Sequence, residues 1–202
     1  MQTTNTTEQQ IIEAARKIFM QRGLSGARMQ DIADEAGINK AMLHYYYRSK
    51  EKLFEIVFGE AVQMLLGRVN AIFAGDMPWK EKIVAAVDNY ITSISENPYL
   101  PLFVLHEINQ NPDRMVQQFL HGPLFPNLRA FMLELAMEAE KGNIRKVDPL
   151  QLMISIISMC VFPFAAKPLL TGVFQMDPAR FKTFIEERKK FVSSFVLHAL
   201  EP

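Results

Sequence analysis

The sequence predicts an all-α protein, and three of its features do so. Apolar residues recur three and four positions apart along nearly the whole chain, the period of a helix buried on one face, and strand alternation is hard to find. Asn97-Pro98, Asn111-Pro112, Asp148-Pro149 and Asp177-Pro178 each place a capping side chain before a proline. The cap oxygen takes a free backbone N–H, and proline at the first helical position gives up an N–H that had no partner. Gly37, Gly75, Gly142 and Gly172 stand where periodic stretches run out, as glycines at helix C-termini do. Helices are expected near 7–22, 28–36, 40–47, 50–74, 78–95, 98–109, 112–119, 123–141, 149–171 and 178–199.

Length and composition bound what such a protein can be. With 202 residues the chain holds one domain, or one and a small second. It is 49% hydrophobic and 22% charged, which is globular composition. Lys+Arg 22 against Asp+Glu 22 leaves no net charge, so any nucleic-acid site must be local. The single cysteine, Cys160, excludes an internal disulfide and fits a reducing cytoplasm. The polar start lacks the basic and apolar stretches of a signal peptide. The longest uncharged apolar stretch, Ile154 to Ala166, has 13 residues and contains Pro163, too short for a membrane span. A soluble cytoplasmic protein without membrane contact is expected.

The first predicted helix carries Ile11, Ala14, Ala15, Ile18 and Phe19 on one stripe, with Arg16, Lys17 and Arg22 elsewhere. The second turns Ile32 and Ala33 inward and stops at Gly37, where a left-handed residue lets Ile38 pack back. Asn39 caps a third helix one residue later. Two short helices joined by so tight a turn form a helix-turn-helix. On the third helix Leu43 and Tyr47 point inward together. Lys40, Ala41, Met42, His44 and Tyr45 fan outward, with Tyr46 at the border. A solvated face would carry Glu, Lys and Gln. This one offers small, aromatic and hydrogen-bonding side chains beside a lysine, which suit base edges, thymine methyls and phosphates in a major groove. The competing reading of the tyrosine run is core packing, and Tyr47 is assigned to it. Ser49 caps the fourth helix, whose free N–H groups, with Arg48 and Lys50, suit a phosphate.

These residues carry a family resemblance. Ile12, Ala14, Ala15, Phe19, Gly23, Asp31-Ile32-Ala33, Ala36-Gly37-Ile38, Leu43 through Tyr47 and Ser49 through Leu53 form a pattern that resembles the tetracycline-repressor family of bacterial transcriptional regulators. It covers residues 8–54, across three helices and their turns. The resemblance implies a homodimer with a DNA-binding head, residues 1–50, and a larger effector-binding and dimerisation body, residues 51–202. It implies DNA contacts from Lys40, Ala41, His44, Tyr45, Tyr46 and Lys50, joined by Gln30 and Arg28 from the preceding helix. The chain departs from the family habit at Ala27-Arg28, where Thr is frequent, at Ala41, where Gly is, and at His44, where Tyr is usual. Repression relieved by an effector is the family's usual logic.

In the body, the last helix carries Phe181, Phe184, Phe191 and Phe195 at heptad-like spacing, interrupted by Arg188, beside a stripe of Ile185, Val192, Val196 and Ala199. That arc is wider than one core-facing stripe needs. Together with the apolar 149–171 helix it is expected to meet its counterpart across a two-fold axis as a four-helix bundle, the alternative being a monomer's core. Twelve methionines and fifteen phenylalanines suit either an adaptable hydrophobic pocket or ordinary core filling. The expected pocket residues are Phe103, His106, Glu107, His121, Met159 and Phe162, and Gln110, Ser155, Ser158 and Cys160 are further polar groups that could orient a ligand. If His106-Glu107 faces inward it binds a polar head group; if outward, it is solvated. Pro163 and Pro168 must bend or break the 149–171 helix, and the carbonyls so freed bring the pocket towards Phe162 and Phe164.

Nothing in the sequence converges on an enzyme, a metal site or a cofactor. His106 to Gln110 starts like a zinc-protease helix but has Gln110 where the second histidine must stand. There is no phosphate loop, nucleophile elbow or dinucleotide glycine pattern. Residues 1–50 hold seven basic side chains against five acidic ones, a mild bias. The expected function is a ligand-responsive repressor that binds a palindromic operator as a homodimer and is released by a small, largely hydrophobic effector. The alternatives are a dimeric adaptor with a vestigial head, opposed by the outward Lys40, Tyr45 and Lys50, and a hydrolase using His106 and Glu107.

Overall fold

The computed structural model of the chain describes residues 6–122 and 124–202, so the polar start at residues 1–5 and Pro123 lie outside it. The described residues form eleven helices and no strand. In order they are α1 (Thr7–Gly26), α2 (Met29–Ala36), α3 (Lys40–Tyr46), α4 (Lys50–Ala74), α5 (Trp79–Glu96), α6 (Leu100–Gln110), α7 (Pro112–His121), α8 (Leu124–Glu140), α9 (Pro149–Ala165), α10 (Lys167–Val173) and α11 (Pro178–Ala199).

Two compact units divide the chain. One holds residues up to 63 together with 102–115, the other 64–101 together with 116–202. The division expected at residue 50 therefore moves. Leu53, Phe54, Val57 and Phe58 of α4 are all buried, and Phe103 of α6 joins them. In the first unit the Phe54 ring meets Phe19 at 5.0 Å and Phe58 at 5.6 Å, and Phe58 lies 5.7 Å from Phe103. One long and two short helices bury too little alone, and these rings complete their core at about 2–3 kcal/mol each.

Local signals start and stop α1 to α3. Thr6 and Gln9 form a capping box on α1. Gly37 sits at φ +69°, Ile38 N–H bonds Ala33 O at 3.0 Å and Gly37 N–H bonds Asp34 O at 3.2 Å, the paired closure expected of a left-handed glycine. The Asn39 side chain accepts from Met42 N–H at 2.7 Å. The first helix, expected to end at residue 22, kinks at Gly23 (φ +64°, ψ 179°) and makes one more turn.

By length and composition alone α4 would reach across a membrane, although it carries charged residues and the uncharged stretch at 154–166 does not. Its buried residues, among them Phe54, Val57, Phe58, Ala61, Leu65 and Val69, instead follow the three-four stripe of a helix packed on one side.

In the second unit α5 packs on α9 and α11, and α8 packs on α9. Phe73 stacks on Phe131 with centroids 4.7 Å apart. Asp148 and Asp177 cap α9 and α11 as expected. Three expectations are corrected. Asn97 closes α5 and accepts Leu100 N–H on its carbonyl, so α6 begins at Leu100 after a turn. Gly172 lies within α10, and the residue with positive φ after that helix is Gln175, at +50°. The single helix at 149–171 is two, α9 and α10, bent by 65° at Ala166, because Pro168 cannot continue a helix begun before it. Pro163 remains inside α9. It has no N–H to offer the Met159 carbonyl one turn back, and the Arg188 guanidinium takes that carbonyl instead, Nε donating at 2.9 Å.

Candidate nucleic-acid interface and the body cavity

Two buried side chains aim α3. Leu43 is fully buried and Tyr47 is 7% exposed. The Tyr47 hydroxyl donates to Glu8 at 3.2 Å, tying the end of α3 to α1. Burial first, and then the Glu8 carboxylate, push its phenol up to about 12, so it stays a neutral donor. With that side pinned, Lys40, Ala41, Met42, His44 and Tyr45 face outward, and Tyr45 is 84% exposed. Tyr46, the border residue, is 41% exposed and packs edge-on against Tyr45 at 5.6 Å.

The flanking residues are held in different ways. Gln30 is tied to Asp34 at 2.8 Å, a bond it must exchange to reach a base. Lys50 is half-buried and donates to the Ala27 carbonyl at 3.0 Å, bridging the start of α4 to the turn before α2. An ammonium has three protons, so two remain for a phosphate. Ser49 accepts Lys52 N–H at 3.2 Å as the expected cap. Arg16, Lys17 and Arg22 are spent inside the unit on Glu60, Glu35 and Asp31. Among the described residues Arg28, Lys40 and Arg48 stand outside any ion pair and are exposed. The mild positive bias of the first fifty residues is thereby concentrated around α3.

The expected pocket residues are dispersed. Phe103 is core of the first unit. Glu107 is 1% exposed and neither solvated nor aimed at a ligand: it accepts Leu24 N–H at 3.2 Å and the Asn111 amide at 3.2 Å. His106 is exposed and stands over Gly23, where an added Cβ would lie 2.8 Å from its Nε2. His121 is exposed and bonds the Gln117 carbonyl at 2.8 Å. Met159 is half-buried, and Phe162 is 59% exposed.

The second unit instead has a cavity of about 60 Å³ among α4, α5, α8 and α9, walled by residues such as Val69, Phe73, Ala86, Tyr90, Ile156 and Cys160. None of the six expected residues lines it. Sockets for drug-sized ligands run about 300–1,000 Å³, so an occupant of that size must widen it. Of its walls the sequence singles out only Cys160, because the other positions are ordinary members of three-four stripes. Burial pushes the Cys160 thiol up to about 12, opposed by Arg188, and burial with Cys160 nearby raises the Tyr90 phenol as well. At pH 8 the folded protein should therefore react with iodoacetamide roughly a thousandfold slower than the chain in denaturant, since the thiolate is the nucleophile. Equal rates would remove Cys160 from a sealed interior.

Among the expected dimer residues, Phe191 and Phe195 are 60% and 55% exposed and stack on each other at 6.2 Å. Phe184 is half-buried. Phe181 is 6% exposed against Phe164, and Arg188 is occupied by Met159, so these two serve the unit's own core. On α9, Leu150, Ile154 and Phe162 add exposed apolar surface.

Comparison with known proteins gives consistent results. The family described as bacterial regulatory proteins, tetR family, matches residues 11–57. The HTH-type transcriptional repressor NicS of Pseudomonas putida is 27% identical over 208 residues, covering 98% of this chain and 94% of its own. The HTH-type transcriptional regulator RutR of Escherichia coli is 28% identical over 156 residues, 72% of this chain and 68% of its own. In fold, the chain resembles a TetR family transcriptional regulator, PfmR, from Thermus thermophilus, with a TM-score of 0.67 at 20% identity, covering 95% of this chain and 99% of that one.

Proposed function

Since the chain belongs to the tetR family of bacterial regulatory proteins, and is thus a DNA-binding transcriptional regulator and not an enzyme, we propose that it is a homodimeric repressor, released from a palindromic operator by a small hydrophobic effector. The observation that carries this reading is the uncovered outer face of α3, with Tyr45 at 84% exposure beside Lys40, Ala41 and His44. An aromatic ring left in water at that level has no role in the fold, whereas in a major groove it meets base edges and methyls. The exposed phenylalanines of α11 and apolar residues of α9 favour a second copy as their cover. Two heads then read half-sites about 34–36 Å apart, or a multiple of it. NicS, named a repressor and matched along almost its whole length, favours repression. The cavity among α4, α5, α8 and α9 favours an apolar effector, acting in the cytoplasm where the chromosome lies. Effector and operator then oppose each other reciprocally, by about 1–3 kcal/mol.

Selection of bound fragments from a random duplex library, at near-physiological salt, tests this reading. Enrichment of a palindrome is expected; a folded protein that enriches nothing would refute it. Arg28, Lys40, Arg48 and Lys50 offer four cations per head, so a dimer on that palindrome should lose affinity with a log–log salt slope of about −7, against about −4 for one head. Lys50→Ala should weaken all sequences alike, whereas Tyr45→Ala and His44→Ala should also change the preferred sequence. Equal losses on operator and random DNA for all three would remove the base-reading roles.

A further inference from the structure

We propose that the body cavity accepts an anionic amphiphile, an apolar chain or ring ending in a carboxylate, whose head group replaces Glu134 on the buried ammonium of Lys82. The inference rests on the effector reading above and adds the chemistry of the ligand.

The walls are built for an apolar tail. Leu66, Val69 and Phe73 of α4 face Met153, Ile156 and Ile157 of α9. A charge set among them would lose its water and gain no partner. Next to the wall residue Phe73 the chemistry changes, at side chains that do not themselves line the cavity. The wall residue Phe73 stacks on Phe131, and the Lys82 ammonium lies 5.9 Å from the centre of that second ring. Lys82 precedes the wall residue Ala86 by one turn of α5, and Phe131 follows the wall residue Leu128 by nearly one turn of α8. The lysine thus stands a single helical turn beyond the apolar wall, on the same side of its helix.

The two partners of this ion pair are unequal. Lys82 is 7% exposed, and its Nζ donates to Glu134 Oε2 at 2.7 Å. The Glu134 side chain is 33% exposed. The cation is held in the interior, while the carboxylate reaches it from the surface. An unpaired buried ammonium is costly, but a glutamate at that exposure turns into water at little cost. A ligand carboxylate entering through the cavity would keep Lys82 paired, release Glu134 to solvent and lay its tail along the apolar walls. A neutral ligand leaves the pair untouched, and a cationic one meets the lysine's own charge.

Trp79, the only tryptophan of the chain, lies three residues before Lys82 on α5 and reports events there. The full-length protein should be titrated with octanoate, 1-octanol and octylammonium, by Trp79 fluorescence and by calorimetry. Octanoate is expected to bind about tenfold tighter than 1-octanol, with octylammonium weakest. Glu134→Gln should tighten octanoate several-fold, because the internal competitor is gone. Lys82→Met, which keeps the apolar stem, should erase the preference for the acid and leave 1-octanol binding in place. Equal binding of octanoate and 1-octanol by the unaltered protein overturns this inference while the hydrophobic-effector reading stands. So does a Glu134→Gln protein that binds octanoate more weakly. If no probe binds, both fall together.

Discussion

Gly23→Ala is expected to destabilise the first unit by about 2–3 kcal/mol, a large share of the stability of a small helical unit. Two causes combine. At φ +64° and ψ 179° the residue occupies a region essentially closed to side chains. The added methyl would also stand 2.8 Å from His106 Nε2 and 3.4 Å from Glu107 Oε1. The two causes separate in a double-mutant cycle. His106 is exposed and can turn aside, so His106→Ala should recover the smaller steric share and leave the backbone cost. Gly37→Ala is the control, since it too has positive φ, but nothing lies within 4 Å of its Cβ. It should cost only about 1–2 kcal/mol. Urea unfolding followed by circular dichroism measures all five proteins: the parent, Gly23→Ala, His106→Ala, the double variant and Gly37→Ala. A Gly23→Ala protein within about 0.5 kcal/mol of the parent would mean that the kink is not needed.

Phe191→Asp with Phe195→Asp is expected to turn a dimer into a folded monomer and to weaken operator binding at least a hundredfold. At 60% and 55% exposure each ring still has roughly 100 Å² to bury, about 2–3 kcal/mol at the usual coefficient. A two-fold interface contains each ring twice, so on the order of 10 kcal/mol depends on this pair, before four carboxylates are forced together. Sedimentation equilibrium gives the assembly state, and fluorescence anisotropy on operator DNA gives the affinity. Helix content should be unchanged, because neither ring belongs to the core. Phe181→Asp is the contrast: with 6% exposure against Phe164 it should unfold the second unit. A double variant that remains a dimer would move the interface elsewhere.

How far the sequence could be read depended on the range of the interaction. The helix-turn-helix lies within one short segment, where Asn39 caps α3 through Met42 and Gly37 closes α2 through Ile38 and Ala33. Caps, left-handed glycines and the outer face of one helix are visible to anyone counting residues. Asn97 shows the limit of such counting. An Asn-Pro pair starts a helix only if the chain has room, and here the same residue was needed to close α5.

His106 and Glu107 were legible as unusual but not as what they are. A polar pair on an apolar helix fits a ligand, solvent or another part of the chain equally well. Only the folded chain brings Gly23 and Leu24, more than eighty residues earlier, against them. Arg188 teaches the same lesson. It broke the apolar stripe of α11 because Pro163 of α9 left a carbonyl without a donor. The cavity left one trace, Cys160, since its other walls come from four helices whose stripes look like any other core.

The sequence by itself determined the helical class, most helix ends, the helix-turn-helix and the outward face of α3, because these follow from backbone capping and from periodicity within a few turns. The tertiary structure alone decided which residues wall the cavity, which phenylalanines of α11 stay exposed, and that Glu107 and Lys82 are buried in partnerships of their own. Those outcomes depend on packing between helices distant in the chain, and packing is set by shape and partner, which no spacing along one helix encodes.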